Sequence, residues 1–285
     1  MSEHRRIVDQ VENEWLKVLH RHIDLLYHNT HLPSHDVEHH LRVWNFCRDL
    51  MYELDLVGIK VDRQTLEGVL IASLFHDTGL IVDKSEEHGY QSRLYCEQFF
   101  KNNSDRHVAN LSDILTAIER HDDKKVKCPS QNGNKDLESI HSIVSAADDL
   151  DAFGYIGILR YVEIYLIRGI SVDLLPKAVI KNLQNRFTNF QNSYSFIKQF
   201  VHKHRARFEI AFSFFECIEK PKVTNKGIAN ANREIVCLLK DCLIERKMDI
   251  FPTIDFALNN YHSQEINNFF CELRDELRSI NNQKW

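Results

Sequence analysis

The sequence has few of the residues that interrupt helices. Of its 285 residues, only 9 are glycine and 5 are proline, which argues against a loop-rich β architecture. Hydrophobic residues make up 43% and charged residues 27%, as in ordinary soluble globular proteins. The composition therefore predicts an all-α chain, long enough for one large domain with an extension or for two domains.

Paired cysteines and long apolar runs are also lacking. The 7 cysteines form no Cys-X-X-Cys pair, and an odd, scattered set favours reduced thiols over a disulfide framework. The charged start MSEHRRIVDQVENEW has no apolar segment typical of a secretory signal. No stretch approaches the ~18 to 20 apolar residues that span a bilayer. We therefore expect a cytoplasmic protein that does not enter membranes.

The sequence also has fewer basic than acidic residues, with 36 Lys and Arg against 41 Asp and Glu. The formal net charge of -5 provides no general attraction for nucleic acid or anionic membranes, and this favours a small-molecule substrate. The basic run KHRAR at 203–207 is an alternative site for a phosphorylated ligand or nucleic acid, although a solvated helix face explains it more simply.

Hydrophobic periodicity predicts the helices. A stripe at helical spacing predicts an amphipathic helix over about 4–28, and its residues are Ile7, Val11, Trp15, Val18, His22 and Leu25. Ser34 is the predicted N-cap of a second helix that runs through His39 to about Leu54. A third helix from about Gln64 ends at Gly79. Further helices are expected at about 86–102, 111–121, 139–152, 155–168, 172–188 and 192–219, with an exposed loop at 130–135.

The polar segment KPKVTNK at 220–226 is the best candidate for a domain boundary. It predicts a main domain at 1–219 and a C-terminal helical extension at 222–285. The extension contains the apolar stripes IVCLLKDCLI and INNFFCELRDEL, which we expect to pack on the main body or on a second copy in a homodimer.

The pair His76-Asp77, in LIASLFHDTGL, is the most informative motif. Neighbouring residues of a helix point about 100° apart, so two adjacent ligands converge most easily where a helix ends, and Gly79 is expected to provide that turn. Imidazole and carboxylate are common ligands of transition metals. We therefore expect His76 to bind one ion and the Asp77 carboxylate to bridge two.

Other potential ligands lie on both sides of this pair. Spacing alone does not choose among His35, His39 and His40 in SHDVEHHLRV. His88 follows a charged stretch, and a surface position is the alternative for it.

Two candidates follow apolar-periodic segments. His121 ends the helical run ILTAIERH, so it points inward if the apolar residues of that run do. Asp148 lies one helical turn from Val144 and from Ala152, and an inward carboxylate is costly unless a cation meets it. Asp149 and Asp151 are its alternatives.

Together these residues resemble the HD superfamily of metal-dependent phosphohydrolases, an all-helical fold with the ligand order H…HD…D. His39, His76, Asp77 and Asp148 match that order. SHDVEHHLRV resembles the family's first ligand helix, and ADDLDAFGYIGILR resembles the stretch around its last Asp. The resemblance covers roughly residues 20–215 and favours His39 and Asp148 over their neighbours. Thr78, after the HD pair, departs from an often apolar position.

The resemblance extends to a second ion. His88 and His121 match the two additional histidines of binuclear members. By that analogy His39, His76, Asp77 and Asp148 hold one ion, while Asp77, His88 and His121 hold the other. One or two divalent ions are implied, and Mn, Ni, Fe, Co, Zn and Mg all remain possible.

Such a site is suited to hydrolysis of a phosphoester or phosphoanhydride in a nucleotide or other small phosphorylated substrate. Asp77 is the predicted central catalytic residue. Cations are expected to contact the phosphate, and Arg160 and Lys84 are the preferred candidates beside Arg42 and Lys124.

Three alternatives remain from the sequence. The same ligand order occurs in mixed-valent di-iron oxygenases of the superfamily. A metal-binding regulatory module without catalysis is a second alternative, with the extension as its partner surface. A nuclease acting on single strands is a third, and the acidic net charge makes it less favoured.

Overall fold

The computed structural model describes residues 3–123 and 137–281, and the described residues form helices with no strand. The prediction of an all-α fold is confirmed. The α-helices are α1 (Glu3–Tyr27), α2 (Val37–Leu56), α3 (Arg63–Phe75), α4 (His88–Asn102), α5 (Leu111–Arg120), α6 (Ile140–Asp151), α7 (Gly154–Ile167), α8 (Leu175–Tyr194), α9 (Lys198–Glu219), α10 (Lys226–Leu239), α11 (Ile250–Asn260) and α12 (Gln264–Asn281).

Within the described part of the chain, three short segments adopt other helical forms. Thr78–Ile81 and Val223–Asn225 are 3₁₀-helices, and Lys240–Glu245 is a π-helix. No helix within the described ranges is long and apolar enough to cross a membrane. Lys124 and the predicted loop at 130–135 lie outside the described residues.

The chain forms two compact units. The first consists of Met1–Thr30, His35–Leu150 and Asn189–Phe200, and the second of His31–Ser34, Asp151–Thr188 and Val201–Trp285. The segment that was predicted as a C-terminal extension is helical and belongs to the second unit together with α7. The predicted domain boundary near residue 220 stays a prediction.

In the first unit, α1 lies against α2 and α3, and α5 packs on α3 and α4. The predicted stripe of α1 is partly wrong, because Leu25 is 64% exposed. The buried face instead passes through Leu19, Ile23 and Tyr27, which recur at the i, i+4 spacing of a single helix face. Tyr27 thus ends α1 with its side chain inside the unit.

The N-cap of α2 is Asp36, so the prediction of Ser34 in that role is wrong. The Asp36 carboxylate accepts hydrogen bonds from the backbone N–H groups of Glu38 and His39, at 3.1 and 3.3 Å. A carboxylate at this position satisfies N–H groups that have no partner within the helix. The Ser34 hydroxyl instead bonds the buried Glu163 carboxylate in the second unit.

Glycine at 79 is required by close packing rather than by a turn with positive φ. A Cβ on Gly79 would lie 2.0 Å from the carbonyl oxygen of His88, and one on Gly89 would lie 2.3 Å from that of Glu119. Gly79 N–H also donates to the Ser92 hydroxyl at 2.8 Å. The 3₁₀-helix, α4 and α5 therefore approach closely because these two positions carry no side chain.

The predicted break between the helices at 172–188 and 192–219 is wrong by about one turn and a half. α8 continues to Tyr194, and the break falls at 195–197. Phe190 and Tyr194 are each 1% exposed, and the Tyr194 hydroxyl donates to the carbonyl of Leu137 at 3.2 Å. Burial of these rings favours continuing the helix beyond the point that the sequence indicated.

In the second unit, Glu276 of α12 caps the start of α7. Its Oε2 accepts from the backbone N–H groups of Tyr155 and Ile156, at 2.7 and 3.2 Å. Its Oε1 accepts from the Arg207 guanidinium at 2.8 and 2.9 Å. Gly154 has φ +77, and a Cβ there would lie 2.2 Å from Oε1. One carboxylate thus joins three helices at a positive helix end.

We predict that Glu276→Gln destabilises the protein. The substitution keeps the shape but removes the charge that two N–H groups and a guanidinium share, and hydrogen bonds to charged groups contribute about 1.5–3 kcal/mol. Urea unfolding should show a loss of that size. Glu272→Gln, one turn earlier on an exposed position of the same helix, is the matched control. Equal midpoints for the two variants would contradict the assignment.

His204 in α9 is fully buried. Burial lowers its pKa well below 6.5, and the charges of Arg207 and Lys203 lower it further. In the unfolded chain the group keeps its ordinary pKa, so below that pH the unfolded state binds a proton that the folded state excludes. The stabilisation from neutral His204 is therefore complete above about pH 6.5 and is lost as the pH falls.

We predict that His204→Gln makes the unfolding free energy of metal-free protein less dependent on pH. One such group contributes up to about 1.4 kcal/mol per pH unit, and this part of the decline between pH 6.5 and 5 should disappear. Denaturant titrations at several pH values measure it. The exposed His202 on the same helix provides the control His202→Gln, which should keep the original slope, and an unchanged slope in His204→Gln would refute the prediction.

Candidate metal centre

His76 and Asp77 lie where α3 ends and the 3₁₀-helix begins. His76 still has helical dihedral angles, whereas Asp77 has φ -106 and ψ 6. This sparsely populated conformation is common among functional residues. It allows two neighbouring side chains to converge, as the sequence predicted. Their exposed fractions are 0% and 4%.

The two carboxylate oxygens of Asp77 face different groups of histidines. Oδ2 lies 3.2 Å from His39 Nε2 and 3.6 Å from His76 Nε2. Oδ1 lies 2.9 Å from His88 Nε2 and 3.0 Å from His121 Nε2. This is the arrangement of a bridging carboxylate, with one oxygen for each of two positions.

Asp148 on α6 completes the first group. Its Oδ1 lies 4.0 Å from His39 Nε2 and 3.9 Å from His76 Nε2, and the residue is 2% exposed. Within the described residues, two sets of potential metal ligands are buried and close together: His39, His76, Asp77 and Asp148, and Asp77, His88 and His121. These are the two sets that the resemblance implied.

The spacing of the ligand atoms suits metal ions. Bonds of about 2.1 Å place neighbouring ligand atoms about 3.0 Å apart in an octahedron and about 3.4 Å apart in a tetrahedron. The Nε2 atoms of His39 and His76 are 3.1 Å apart, and those of His88 and His121 are 3.3 Å apart. Both separations agree with shared coordination.

Backbone carbonyls determine which ring nitrogen faces the centre. Nδ1 of His76, His88 and His121 lies 2.8 Å from the carbonyl oxygen three residues earlier in each case. Nδ1 therefore carries the proton and donates it, and the Nε2 lone pair points to the centre. Such contacts orient imidazoles in metal sites. Converging lone pairs repel each other unless a proton or a cation lies between them, so the donor set fits divalent ions.

The charges support this conclusion. Burial alone raises the pKa of Asp77, but the neighbouring imidazoles outweigh it and hold that pKa well below its usual value. Burial lowers the pKa of His76 to about 3. Burial also lowers the pKa of His121, yet the contact with Asp77 raises it overall. A raised pKa means that a metal ion at His121 competes with protons for the imidazole.

The competing histidines and aspartates occupy other environments. His40 is fully buried, with Nδ1 3.3 Å from the Ser73 carbonyl and Nε2 3.2 Å from the Tyr27 hydroxyl. The His35 ring lies 5.5 Å from the His39 ring. Asp149 and Asp151 are buried. None of these four belongs to the two ligand sets found in the described ranges.

The cationic candidates already have protein partners. The Lys84 ammonium donates to the carbonyls of Leu80 and Ile81, which follow the HD pair in the 3₁₀-helix. Arg160 belongs to the second unit, where its guanidinium lies 3.3 Å from the Asp151 carboxylate. Arg42 is 1% exposed. The predicted contacts of Lys84 and Arg160 with phosphate stay predictions.

Sequence reasoning did not identify Tyr27 as part of this region. Its hydroxyl donates to the Asp77 carbonyl at 3.0 Å. The sequence contained an indication, since Tyr27 continues the i, i+4 series of Leu19 and Ile23. The predicted apolar stripe ended at Leu25 instead and so did not include Tyr27. A polar tip on an apolar face indicates a buried hydrogen-bond partner.

A comparison with known families agrees with this geometry. Residues 36–153 match the family model of the HD domain, and the matched range contains all six residues of the two ligand sets. The chain is thus an α-helical protein with a buried histidine–aspartate centre, and it carries an HD domain. Searches of curated proteins and of solved structures gave no match. The resemblance stated from the sequence is confirmed.

We predict distinct metal losses for two substitutions. Asp77→Asn should lower bound metal from about two ions per chain to none, because both positions lose their shared charged oxygen. His88→Ala should retain about one ion, because His88 faces only one position. Elemental analysis after dialysis against a divalent ion measures both. Exposed Asp123→Asn is the control, and full metal content in Asp77→Asn would contradict the site.

Proposed function

We propose that the protein is a metal-dependent phosphohydrolase acting on a nucleotide or other small phosphorylated substrate. The observation that carries the proposal is the bridging geometry of Asp77, whose two oxygens each face a separate set of histidines. Paired metal sites that share a carboxylate suit the displacement of a phosphoryl group from its ester or anhydride oxygen.

When bound, divalent ions lower the pKa of water toward about 7 and offset negative charge on phosphoryl oxygens. In His76, His88 and His121 the Nδ1–carbonyl contacts place the Nδ1 proton on the backbone side and leave Nε2 facing the centre. Asp77 keeps its negative charge near neutral pH because surrounding imidazoles hold its pKa low. The ligands therefore stay in the ionisation states that metal binding requires.

Lys84 and Arg160 are proposed to contact the phosphate. Lys84 is bonded to the turn that carries Asp77, so a phosphoryl group at the centre is expected to lie within its electrostatic range. Arg160 has Asp151 as its ion-pair partner, which orients the guanidinium and offsets part of its charge. For both residues the role in catalysis rests on sequence resemblance and charge.

A small substrate is favoured over nucleic acid. The net charge of -5 opposes binding to a polyanion, which depends on several cationic contacts with phosphates. A homodimer and a cytoplasmic location stay predictions of the sequence.

We expect purified protein to release phosphate or pyrophosphate from at least one member of a nucleotide panel when Mn, Co, Ni or Mg is present. Asp77→Asn should lose activity by more than about 100-fold, since it removes charge from both positions. The assay is phosphate or pyrophosphate release, with Asp123→Asn as the control.

Two results would contradict the proposal. Metal-loaded protein that hydrolyses no phosphorylated compound would leave the metal centre intact but remove this function. Protein purified with iron that shows a mixed-valent paramagnetic signal and consumes oxygen with a substrate would assign the site to di-iron oxygenase chemistry.

A further inference from the structure

A buried hydrogen-bond chain lies behind the metal centre and uses residues outside both ligand sets. The Tyr27 hydroxyl lies 3.0 Å from the Asp77 carbonyl oxygen and 3.2 Å from His40 Nε2. Tyr27 is 6% exposed and His40 is fully buried. Both belong to the first unit, as does Asp77.

The His40 ring is close to two ligand histidines. Its centroid lies 5.4 Å from that of His39 and 5.1 Å from that of His76. Its Nδ1 lies 3.3 Å from the Ser73 carbonyl, which accepts from His76 Nδ1. Rings packed in this way restrict the orientation of the ligand imidazoles.

Counting protons shows why a hydroxyl is needed at Tyr27. A neutral imidazole has one N–H donor and one acceptor, so His40 has one proton for the two oxygens beside it. If His40 Nε2 donates to Tyr27, the Tyr27 hydroxyl donates to the Asp77 carbonyl. If His40 Nδ1 donates to Ser73, the Tyr27 hydroxyl can donate to Nε2. Because the hydroxyl has a single hydrogen, only the first tautomer links Asp77 to His40 through Tyr27, and the Tyr27–Asp77 contact is the shorter of the two.

The hydrogen-bond chain contacts the backbone of Asp77, the residue whose carboxylate bridges the two ligand sets. The Asp77 carbonyl accepts the Leu80 N–H at 3.0 Å as well as the Tyr27 hydroxyl. Asp77 occupies a sparsely populated backbone conformation, and such a conformation persists only when surrounding contacts hold it. A second hydrogen bond to this carbonyl restricts rotation of the peptide and therefore of the carboxylate.

We propose that Tyr27 is a positioning residue for the metal centre. Its hydroxyl links the Asp77 backbone to His40 and thereby fixes the bridging carboxylate and the imidazoles of His39 and His76. This inference rests on the metal centre but not on the phosphohydrolase reaction. It also assigns a role to the end of α1, which precedes the part of the chain that matches the HD domain.

The test is Tyr27→Phe, which keeps the ring packing and removes only the hydroxyl. Loss of a residue that orients metal ligands typically costs about 10–100-fold in metal affinity. Competition with a chelating dye for Mn²⁺ or Co²⁺ should show weakening in that range. Both binding steps should weaken, because Asp77 contributes to both positions. The absorption bands of the Co²⁺ form should shift, since they report ligand geometry.

Tyr161→Phe is the matched control. Tyr161 is a buried tyrosine of the second unit whose hydroxyl donates to the Asn182 side chain at 2.9 Å. It should change thermal stability by a similar amount and leave metal affinity and the Co²⁺ spectrum unaltered. This comparison separates positioning of ligands from a general loss of one buried hydrogen bond.

Metal affinities of Tyr27→Phe within twofold of those of the unaltered protein, with an unshifted Co²⁺ spectrum, would overturn the proposal. If Tyr27→Phe is poorly folded, His40→Gln tests the other end of the chain by the same titration, and unaltered affinity there would also overturn it. Failure of the unaltered protein to bind metal would remove both the centre and this inference. Metal binding without hydrolysis would remove only the proposed function.

Discussion

The metal centre depends on one buried carboxylate, that of Asp77, surrounded by four imidazoles. A charged carboxylate away from water is costly unless positive charge or hydrogen bonds compensate for it. The imidazoles do so only while protons or metal ions occupy the spaces between them. The same arrangement that makes this core unfavourable without a cation would favour the binding of one, and stability would then be coupled to metal binding.

Short backbone features bring the ligands together. Nδ1 of His76, His88 and His121 donates a hydrogen bond to a backbone carbonyl one turn earlier. The backbone at these positions therefore orients the rings. Gly79 and Gly89 remove the side chains that would separate the 3₁₀-helix, α4 and α5. The positions of His88 and His121 therefore follow from close packing of helix ends rather than from a dedicated binding loop.

In the second unit, carboxylates pair with arginine side chains. Glu276 there joins Arg207 to the N-terminus of α7, and Asp151 pairs with Arg160. These acidic groups have cationic side chains as partners, whereas the Asp77 carboxylate lies beside four imidazoles. The contrast separates a buried aspartate that is paired with a guanidinium, Asp151, from one that lies among imidazoles, Asp77. The Nε2 lone pairs around Asp77 can bind an ion, whereas a guanidinium cannot.

The sequence by itself indicated the helical class, because helical periodicity is local. It also indicated the six candidate ligands, because the H…HD…D order and the two additional histidines of binuclear members form a linear pattern. It did not determine the cap at Asp36, the end of α8 or the role of Tyr27. Each of these depends on a hydrogen bond to a residue distant in sequence. Ser34 bonds Glu163, Tyr194 bonds Leu137, and Tyr27 bonds Asp77. Tertiary structure also decided that Asp77 faces both histidine sets, since the direction of a carboxylate is fixed only when all four rings are in place.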